Sequence, residues 1–147
     1  MRIALFPGTF NPFTIGHKSV VDRALPMFDR IIIAIGTNAE KAEAEADDIA
    51  RRIRSIAVLY EEEPRVEVYS YEGLTVDFAA EMGARFLLRG VRTVQDFEYE
   101  RTLADVNRRI AGLETVLLYS LPEHESCSSS IVRELTKYGV DVSEFLP

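Results

Sequence analysis

The chain is expected to fold as an open, five-stranded, mostly parallel α/β sheet with helices on both faces. Three observations predict it. Apolar runs of strand length alternate, about five times, with stretches whose apolar residues recur at helical spacing. The clearest run, Ile31-Ile32-Ile33-Ala34-Ile35-Gly36, is continuous and β-branched, as a strand covered on both faces requires. A chain of 147 residues with 47% hydrophobic content, no long linker and no internal repeat has material for one core, so a single domain over 1–147 is expected.

Ile3-Ala4-Leu5-Phe6 reads as a short buried first strand. Val20, Val21, Ala24, Leu25 and Phe28 then fall at helical spacing, with Pro26 interrupting near the helix end. The isoleucine run is the second strand. After it, residues 37–48 alternate Ala and Glu and are expected to form a solvated acidic loop. Ile49, Ile53, Ile56, Ala57 and Tyr60 mark a second helix that starts near Asp47 or Asp48. Arg65 to Tyr71 alternates as a third strand, and Leu74 to Met82 is a short helix closed by Gly83. Phe86-Leu87-Leu88 is a fourth strand, Asp96 to Ile110 is helical in one piece or two, and Thr115 to Tyr119 is a fifth strand. Ser128 to Tyr138 forms a last helix with Ile131, Leu135 and Tyr138 on one face, closed by Gly139. Ligands of such sheets bind beyond the carboxyl ends of the strands, near the switch in strand order. That points to residues 7–17, 36–46, 71–75, 89–93 and 120–130.

Composition removes several function classes. Lys plus Arg is 17 and Asp plus Glu is 24, a net charge of -7, which argues against a general binder of nucleic acid or anionic membrane. A local basic pocket is compatible with that total. Cys127 is the one cysteine, so neither a disulfide framework nor a thiolate metal cluster can be built, which suits a reducing cytoplasm. No apolar run reaches about 18 residues, and the stretch Ile3 to Phe6 is too short for a signal peptide. The dinucleotide pattern GxGxxG and the phosphate-loop pattern GxxxxGK[ST] are both absent, which disfavours a nicotinamide oxidoreductase and a P-loop ATPase.

Three segments after the strands carry groups suited to phosphate. Pro7-Gly8-Thr9-Phe10-Asn11-Pro12-Phe13-Thr14-Ile15-Gly16-His17 is rich in turn formers and then opens a helix, whose amides favour an anion. His17 can aim a ring N–H at it; alternatively Thr9 and Thr14 are loop hydroxyls and His17 is a cap. In Arg89-Gly90-Val91-Arg92-Thr93-Val94-Gln95-Asp96-Phe97-Glu98-Tyr99-Glu100, two guanidinium forks flank a glycine at a strand end, with an Arg–Glu surface network as the alternative. In His124-Glu125-Ser126-Cys127-Ser128-Ser129-Ser130, consecutive serines open a helix and bring hydroxyls and orphan amides together; one capping serine with two neutral neighbours is the structural alternative. Cys127 reads as a small buried hydrophobe rather than a nucleophile.

Thr14-Ile15-Gly16-His17 fits the [HT]xGH motif of the nucleotidyltransferase superfamily, supported by Pro7 to Pro12 upstream. The string from Arg89 to Glu100 closely resembles the RGxRxxxDFEYE segment of the bacterial phosphopantetheine adenylyltransferase family. The serine run is similar to its ISSS-type motif, with Cys127 at the usual aliphatic position. Gly73 to Ala79 resembles the segment that lines the pantetheine arm, with Thr75 the position carried over and helix capping by Thr75 the alternative. The resemblance covers nearly the whole chain and implies a Rossmann-like fold. It implies the reaction of ATP with 4′-phosphopantetheine to give dephospho-coenzyme A and pyrophosphate, by in-line attack without a covalent intermediate. Carried over by position, it implies His17 and Lys41 as catalytic residues. ATP would be held by Thr9, Phe10, His17, Gly90, Val91, Arg92, Glu100, His124, Glu125, Ser126, Cys127, Ser128, Ser129 and Ser130. Phosphopantetheine would be held by Thr9, Lys41, Thr75 and Arg89. Arg92 and the serines would lie toward the β/γ end of ATP and Glu100 toward the nucleoside.

Around Lys41 the chain departs from the family, which usually continues with a second basic residue and a Phe-containing stretch ending in Glu-Arg. Here Ala42 to Asp48 is acidic, followed by Arg51-Arg52, and a surface lysine is the alternative for Lys41. The family also usually continues beyond the equivalent of Pro147, so any consequence of a short end is expected in assembly or stability. Mg²⁺ is implied as the ion that screens the triphosphate, held by phosphate and water rather than by protein ligands. A homohexamer and coenzyme A as a feedback ligand are further implications, with no nucleic-acid or membrane partner. Nicotinamide-mononucleotide adenylyltransferases and glycerol-phosphate cytidylyltransferases share [HT]xGH and are the alternative enzymes. A nucleotide-binding module without turnover is the alternative of another class.

Overall fold

The computed structural model describes residues 1–38, 40, 41 and 43–147. Ala39 and Ala42, which belong to the expected acidic loop, lie outside the described residues. The elements run β1 (Ile3–Gly8), α1 (Ile15–Ala24), β2 (Arg30–Thr37), α2 (Ala46–Ala57), β3 (Val66–Glu72), α3 (Thr75–Glu81), β4 (Phe86–Val91), α4 (Val94–Ala111), β5 (Glu114–Tyr119) and α5 (Ser129–Lys137). The five strands form one sheet in the order β3-β2-β1-β4-β5, and every pairing is parallel. The expectation of an open, parallel sheet is met.

The isoleucine run explains itself in this sheet. Ile31, Ile33 and Ile35 join Phe6, Val20, Val21, Ala24 and Ile56 on one face, beneath α1 and α2. Ile32 and Ala34 point the other way and join Leu5, Val76, Ala79, Leu87 and Leu113, where α3 packs. Side chains alternate across a strand, so a run with both faces covered must be apolar at every position.

Boundaries differ from the sequence pattern where caps and prolines act. α1 stops at Ala24 and Leu25–Met27 tightens into a 3-10 turn, since Pro26 cannot donate to a continuing helix. α4 is one helix, and it is capped by Thr93 rather than opened by Asp96. The Thr93 hydroxyl accepts from the Asp96 amide at 3.0 Å while the Asp96 carboxylate accepts from the Thr93 amide at 3.3 Å. The helix ends at Gly112, which takes the left-handed conformation (φ 68°) that a non-glycine residue would adopt at a cost. The acidic stretch is loop-like where it is described: residues 40, 41 and 43–45 are turns with exposed side chains, and α2 begins at Ala46.

Two strands run further than their apolar cores suggest, and this opens the site. β1 continues through Pro7 to Gly8 and stays paired with β2 as far as Gly8 opposite Ile35. Its pairing with β4 covers only Ala4 opposite Phe86 and Leu5 opposite Leu87. Beyond Leu5 the two strands part, at the switch in strand order where parallel sheets bind ligands. Arg89 and Gly90 lie within β4, not in the loop after it. In the gap, Arg89 donates from Nη1 to the Pro7 carbonyl at 2.6 Å.

Candidate active site

The start of α1 is locked by a reciprocal cap. Thr14, 1% exposed, accepts from the His17 amide through its hydroxyl at 3.4 Å, and His17 Nδ1 accepts from the Thr14 amide at 2.9 Å. Histidine thus takes the role usually played by Glu or Gln in a capping box. A backbone N–H can only donate, so Nδ1 is unprotonated and the neutral ring carries its proton on Nε2. The ring is wedged among aromatic neighbours, stacked on Phe13 at 5.4 Å and edge-on to Phe10 at 5.0 Å. Burial, reinforced by the Arg89 and Arg92 guanidinium charges, lowers the His17 pKa from 6.5 to about 4. His17 is therefore a neutral hydrogen-bond donor at pH 7, not an imidazolium.

Two hollows meet beside it. The polar one, about 490 Å³, is lined by His17, Thr9, Phe10, Arg92, Ser128–Ser130 and Arg133 among others. The other, about 380 Å³, is lined largely by apolar groups, including Tyr71, Leu74, Val76, Leu103 and Ile110. Pro7, Gly8, Thr9 and Arg89 line both, so the parting of β1 from β4 forms a common seam. Gly8 is needed there: a Cβ on it would lie 2.9 Å from the Phe10 ring. A group bound in one hollow can reach a group bound in the other across this seam.

The expected residues divide as follows. Thr9, Phe10, His17, Arg89, Gly90, Arg92, Cys127, Ser128, Ser129 and Ser130 all line the polar hollow. Val91 and Glu125 line an adjoining hollow of about 440 Å³ that shares Arg92 and Ser120 with it. His124 sits beside Gly16, and Ser126 lies in the turn that leads to Cys127. Thr75 lines the apolar hollow, its hydroxyl 2.8 Å from that of Tyr71. Lys41 is exposed on the turn after β2 and lines neither hollow. The three serines are engaged differently. Ser128 caps α5 by accepting from the Ile131 amide at 3.2 Å, Ser129 donates to the Pro12 carbonyl at 2.7 Å, and Ser130 stays exposed.

Glu100, expected on the nucleoside side, is 5% exposed and accepts from Arg89 Nε and Nη2 at 2.8–3.0 Å. Its carboxylate neutralises and aims Arg89 from below the seam, so it lines the apolar hollow rather than the polar one. The Arg–Glu network is real, but half-buried rather than on the surface. Removing either partner of such a pair would strand a buried charge.

Two arginines with no expected role belong to the same assembly. Arg133, three residues after Ser130 on α5, lines the polar hollow and donates to the Asn11 carbonyl at 2.8 Å. Arg52, on α2, donates to the Thr9 carbonyl at 2.9 Å. Only the helical spacing from Ser130 could have marked Arg133 in advance; no signal marked Arg52. Arg89, Arg92 and Arg133 make the polar hollow cationic within an acidic chain, as polyanion binding requires. No Asp or Glu is among its described lining residues, so they do not build a cage for a divalent cation.

Known proteins resemble this chain throughout. The cytidylyltransferase-like family model matches residues 5–135. The phosphopantetheine adenylyltransferase of Bacteroides thetaiotaomicron is 54% identical over 147 residues, 100% of this chain and 96% of that protein. That of Porphyromonas gingivalis is 50% identical over 99% of this chain and 94% of that protein. Among solved structures, a putative nicotinate-nucleotide adenylyltransferase from Vibrio parahaemolyticus matches with TM-score 0.62 at 16% identity, over 99% of this chain and 87% of that one. A bifunctional NMN adenylyltransferase/ADP ribose pyrophosphatase from Francisella tularensis matches with TM-score 0.66 at 14% identity, over 99% of this chain and 44% of that one. At such identities the solved structures speak for the fold alone.

Proposed function

The chain belongs to the phosphopantetheine adenylyltransferases, within the cytidylyltransferase-like family, and from that premise we propose how its residues divide the work. The enzyme transfers the adenylyl group of ATP to 4′-phosphopantetheine, giving dephospho-coenzyme A and pyrophosphate. One observation carries the assignment of sites: a polar, cationic hollow and an apolar hollow share the seam of Pro7, Gly8, Thr9 and Arg89. The triphosphate suits the polar side and the pantetheine arm the apolar side. The reacting phosphate and the α-phosphorus then meet at the seam.

The terminal phosphate of phosphopantetheine attacks the α-phosphorus in line, and pyrophosphate leaves. A phosphate is already anionic near neutral pH, so the protein has to align two polyanions and stabilise the transferring group. His17 donates from Nε2 to the α-phosphate. Because it is neutral, it gives a hydrogen bond without giving up a proton. Arg92, Arg133, Ser130 and the first amides of α5 hold the β- and γ-phosphates, the helix terminus favouring an anion. Arg89, pinned by Glu100 and Pro7, keeps further N–H groups on Nη1 and Nη2 for the incoming phosphate. Lys41, exposed on the turn after β2, is the position to which the family resemblance gives the incoming phosphate. Mg²⁺ fits as part of the nucleotide substrate, since the polar hollow offers it no carboxylate.

The remaining expectations stand as parts of this proposal. Self-assembly is supported by α4, an 18-residue helix that buries only Glu100 and exposes Val94, Phe97, Val106 and Ile110; a hexamer is the number the family resemblance implies, and light scattering tests it. No described helix is long and apolar enough to cross a membrane, and a cytoplasmic location fits the single buried cysteine. Coenzyme A shares the arm and the adenosine of the product, so it suits the same two hollows as a feedback ligand. The test of the reaction is incubation with ATP, Mg²⁺ and phosphopantetheine, read by mass. Dephospho-coenzyme A is the expected product. ATP binding without pyrophosphate release, or turnover only with nicotinamide mononucleotide or with glycerol phosphate and CTP, contradicts the assignment.

A further inference from the structure

We propose that Arg52 is a positioning residue that clamps the Thr9–Phe10 peptide in a strained orientation and so presents the Phe10 N–H to the polar hollow. The observation begins with Phe10. It has φ 47°, inside the left-handed region, and no other non-glycine residue among those described has a positive φ. That region is costly for a bulky side chain. Its ring is 3% exposed and lies against Gly8. The side chain is therefore fixed by the core, and the peptide before it has a choice. Rotating the Thr9–Phe10 peptide by half a turn would carry φ of Phe10 into the extended region open to every residue, with little movement of the ring.

Arg52 opposes that rotation. Its Nη1 donates to the Thr9 carbonyl at 2.9 Å from α2. Its Nη2 and Nε are held by Asp48 at 2.6 Å and 3.1 Å, and its side chain is 15% exposed. The guanidinium is thus anchored at one end and pulls the carbonyl at the other. In a trans peptide the C=O and N–H point in opposite directions, so a carbonyl turned toward α2 turns the Phe10 N–H away from it. Thr9 and Phe10 both line the polar hollow and Thr9 also lines the seam. The clamp supplies a backbone donor where phosphate charge is handled, and it ties the acidic α2 start to the site without Arg52 itself lining either hollow.

This inference rests on the adenylyl-transfer reading only for its kinetic consequence. The test compares Arg52→Met, which keeps the apolar stem, with Arg51→Ala in the intact protein. Arg51 touches the same Asp48 at 3.4 Å but is largely exposed and does not reach Thr9. Three quantities are read: the Phe10 amide cross-peak in ¹⁵N-phenylalanine-labelled protein, kcat for dephospho-coenzyme A formation, and the thermal unfolding midpoint. Arg52→Met should shift or double the Phe10 peak and lower kcat by about tenfold to a hundredfold, with cooperative unfolding retained. Arg51→Ala should leave all three at parent values. A Phe10 peak that does not move, or a kcat equal to the parent's, overturns the clamp. Should Arg52→Met fail to fold, Arg52→Lys keeps stem and charge, but its single ammonium cannot serve Asp48 and Thr9 together; the same peak must move, and an unmoved peak is again fatal. A parent protein that forms no dephospho-coenzyme A defeats the adenylyl-transfer reading, and the Phe10 peak still decides the clamp.

Discussion

The loops after β1 and β2 lie on neighbouring strands and lead into two helices that cover the same sheet face, yet they are built in opposite ways. The first buries Phe10, Phe13 and Thr14 and ends in a reciprocal cap that fixes the tautomer of His17. The second exposes its described side chains, and Glu45, the N-cap of α2, makes no side-chain capping bond. One loop is fixed by burial and by its cap, and it carries His17, the donor proposed for the transferring group. The other carries Lys41 at the surface, outside both hollows. Preorganisation is concentrated where charge develops, since a donor already in place costs nothing to reorganise during reaction.

If that division holds, the largest loss comes from the fixed loop. His17→Ala should lower kcat by about 10²–10³ while the fold survives, measured by pyrophosphate release and circular dichroism; turnover at the parent rate would break the contrast. The same residue gives the loop its pH limit. The folded-state pKa of about 4 lies below the 6.5 of a free imidazole, so the unfolded chain takes up the proton first. Stability from this group is whole above pH 6.5 and is lost as pH falls toward 4, in total on the order of 3 kcal/mol. Urea titrations at the two ends of that window should show this loss, and His17→Gln should flatten it.

Effects in the second loop should be smaller and of a different kind. Lys41→Ala should reduce kcat/KM for phosphopantetheine by about tenfold, as loss of one exposed charge contact, and leave the ATP KM and the unfolding midpoint unchanged. An ATP KM that rises with it would put Lys41 on the wrong substrate. Smallest is Glu45→Ser, which gives α2 the missing cap and should stabilise the protein by about 0.5–1 kcal/mol. A stability loss on urea denaturation would mean that the α2 start is already satisfied.

The fold was legible because its strands obey simple rules. The run Ile31 to Ile35 could serve only as a doubly covered strand, and Gly83 and Gly139 closed helices as glycines do. The site was legible as segments, not as contacts. His17 was legible as a cap, but its reciprocal pairing with Thr14 was not, because histidine is not the residue that the capping-box rule names. An Arg–Glu network within residues 89–100 was legible, but its burial was not, since the β4–α4 packing covers Glu100. Arg52 reaches Thr9 across 43 residues, and nothing in local sequence reports such a distance. Lys41 shows the converse: position in the family pattern marked it, while its surroundings here, acidic and exposed, leave it outside both hollows.

The most direct measurement is the ¹⁵N imidazole spectrum of His17 through a pH titration of the ligand-free protein. A ring with bare Nδ1 and protonated Nε2 at pH 7, titrating near 4, is the predicted result. A ring protonated on Nδ1, or one that charges near pH 6.5, would contradict a neutral, prealigned donor in the polar hollow.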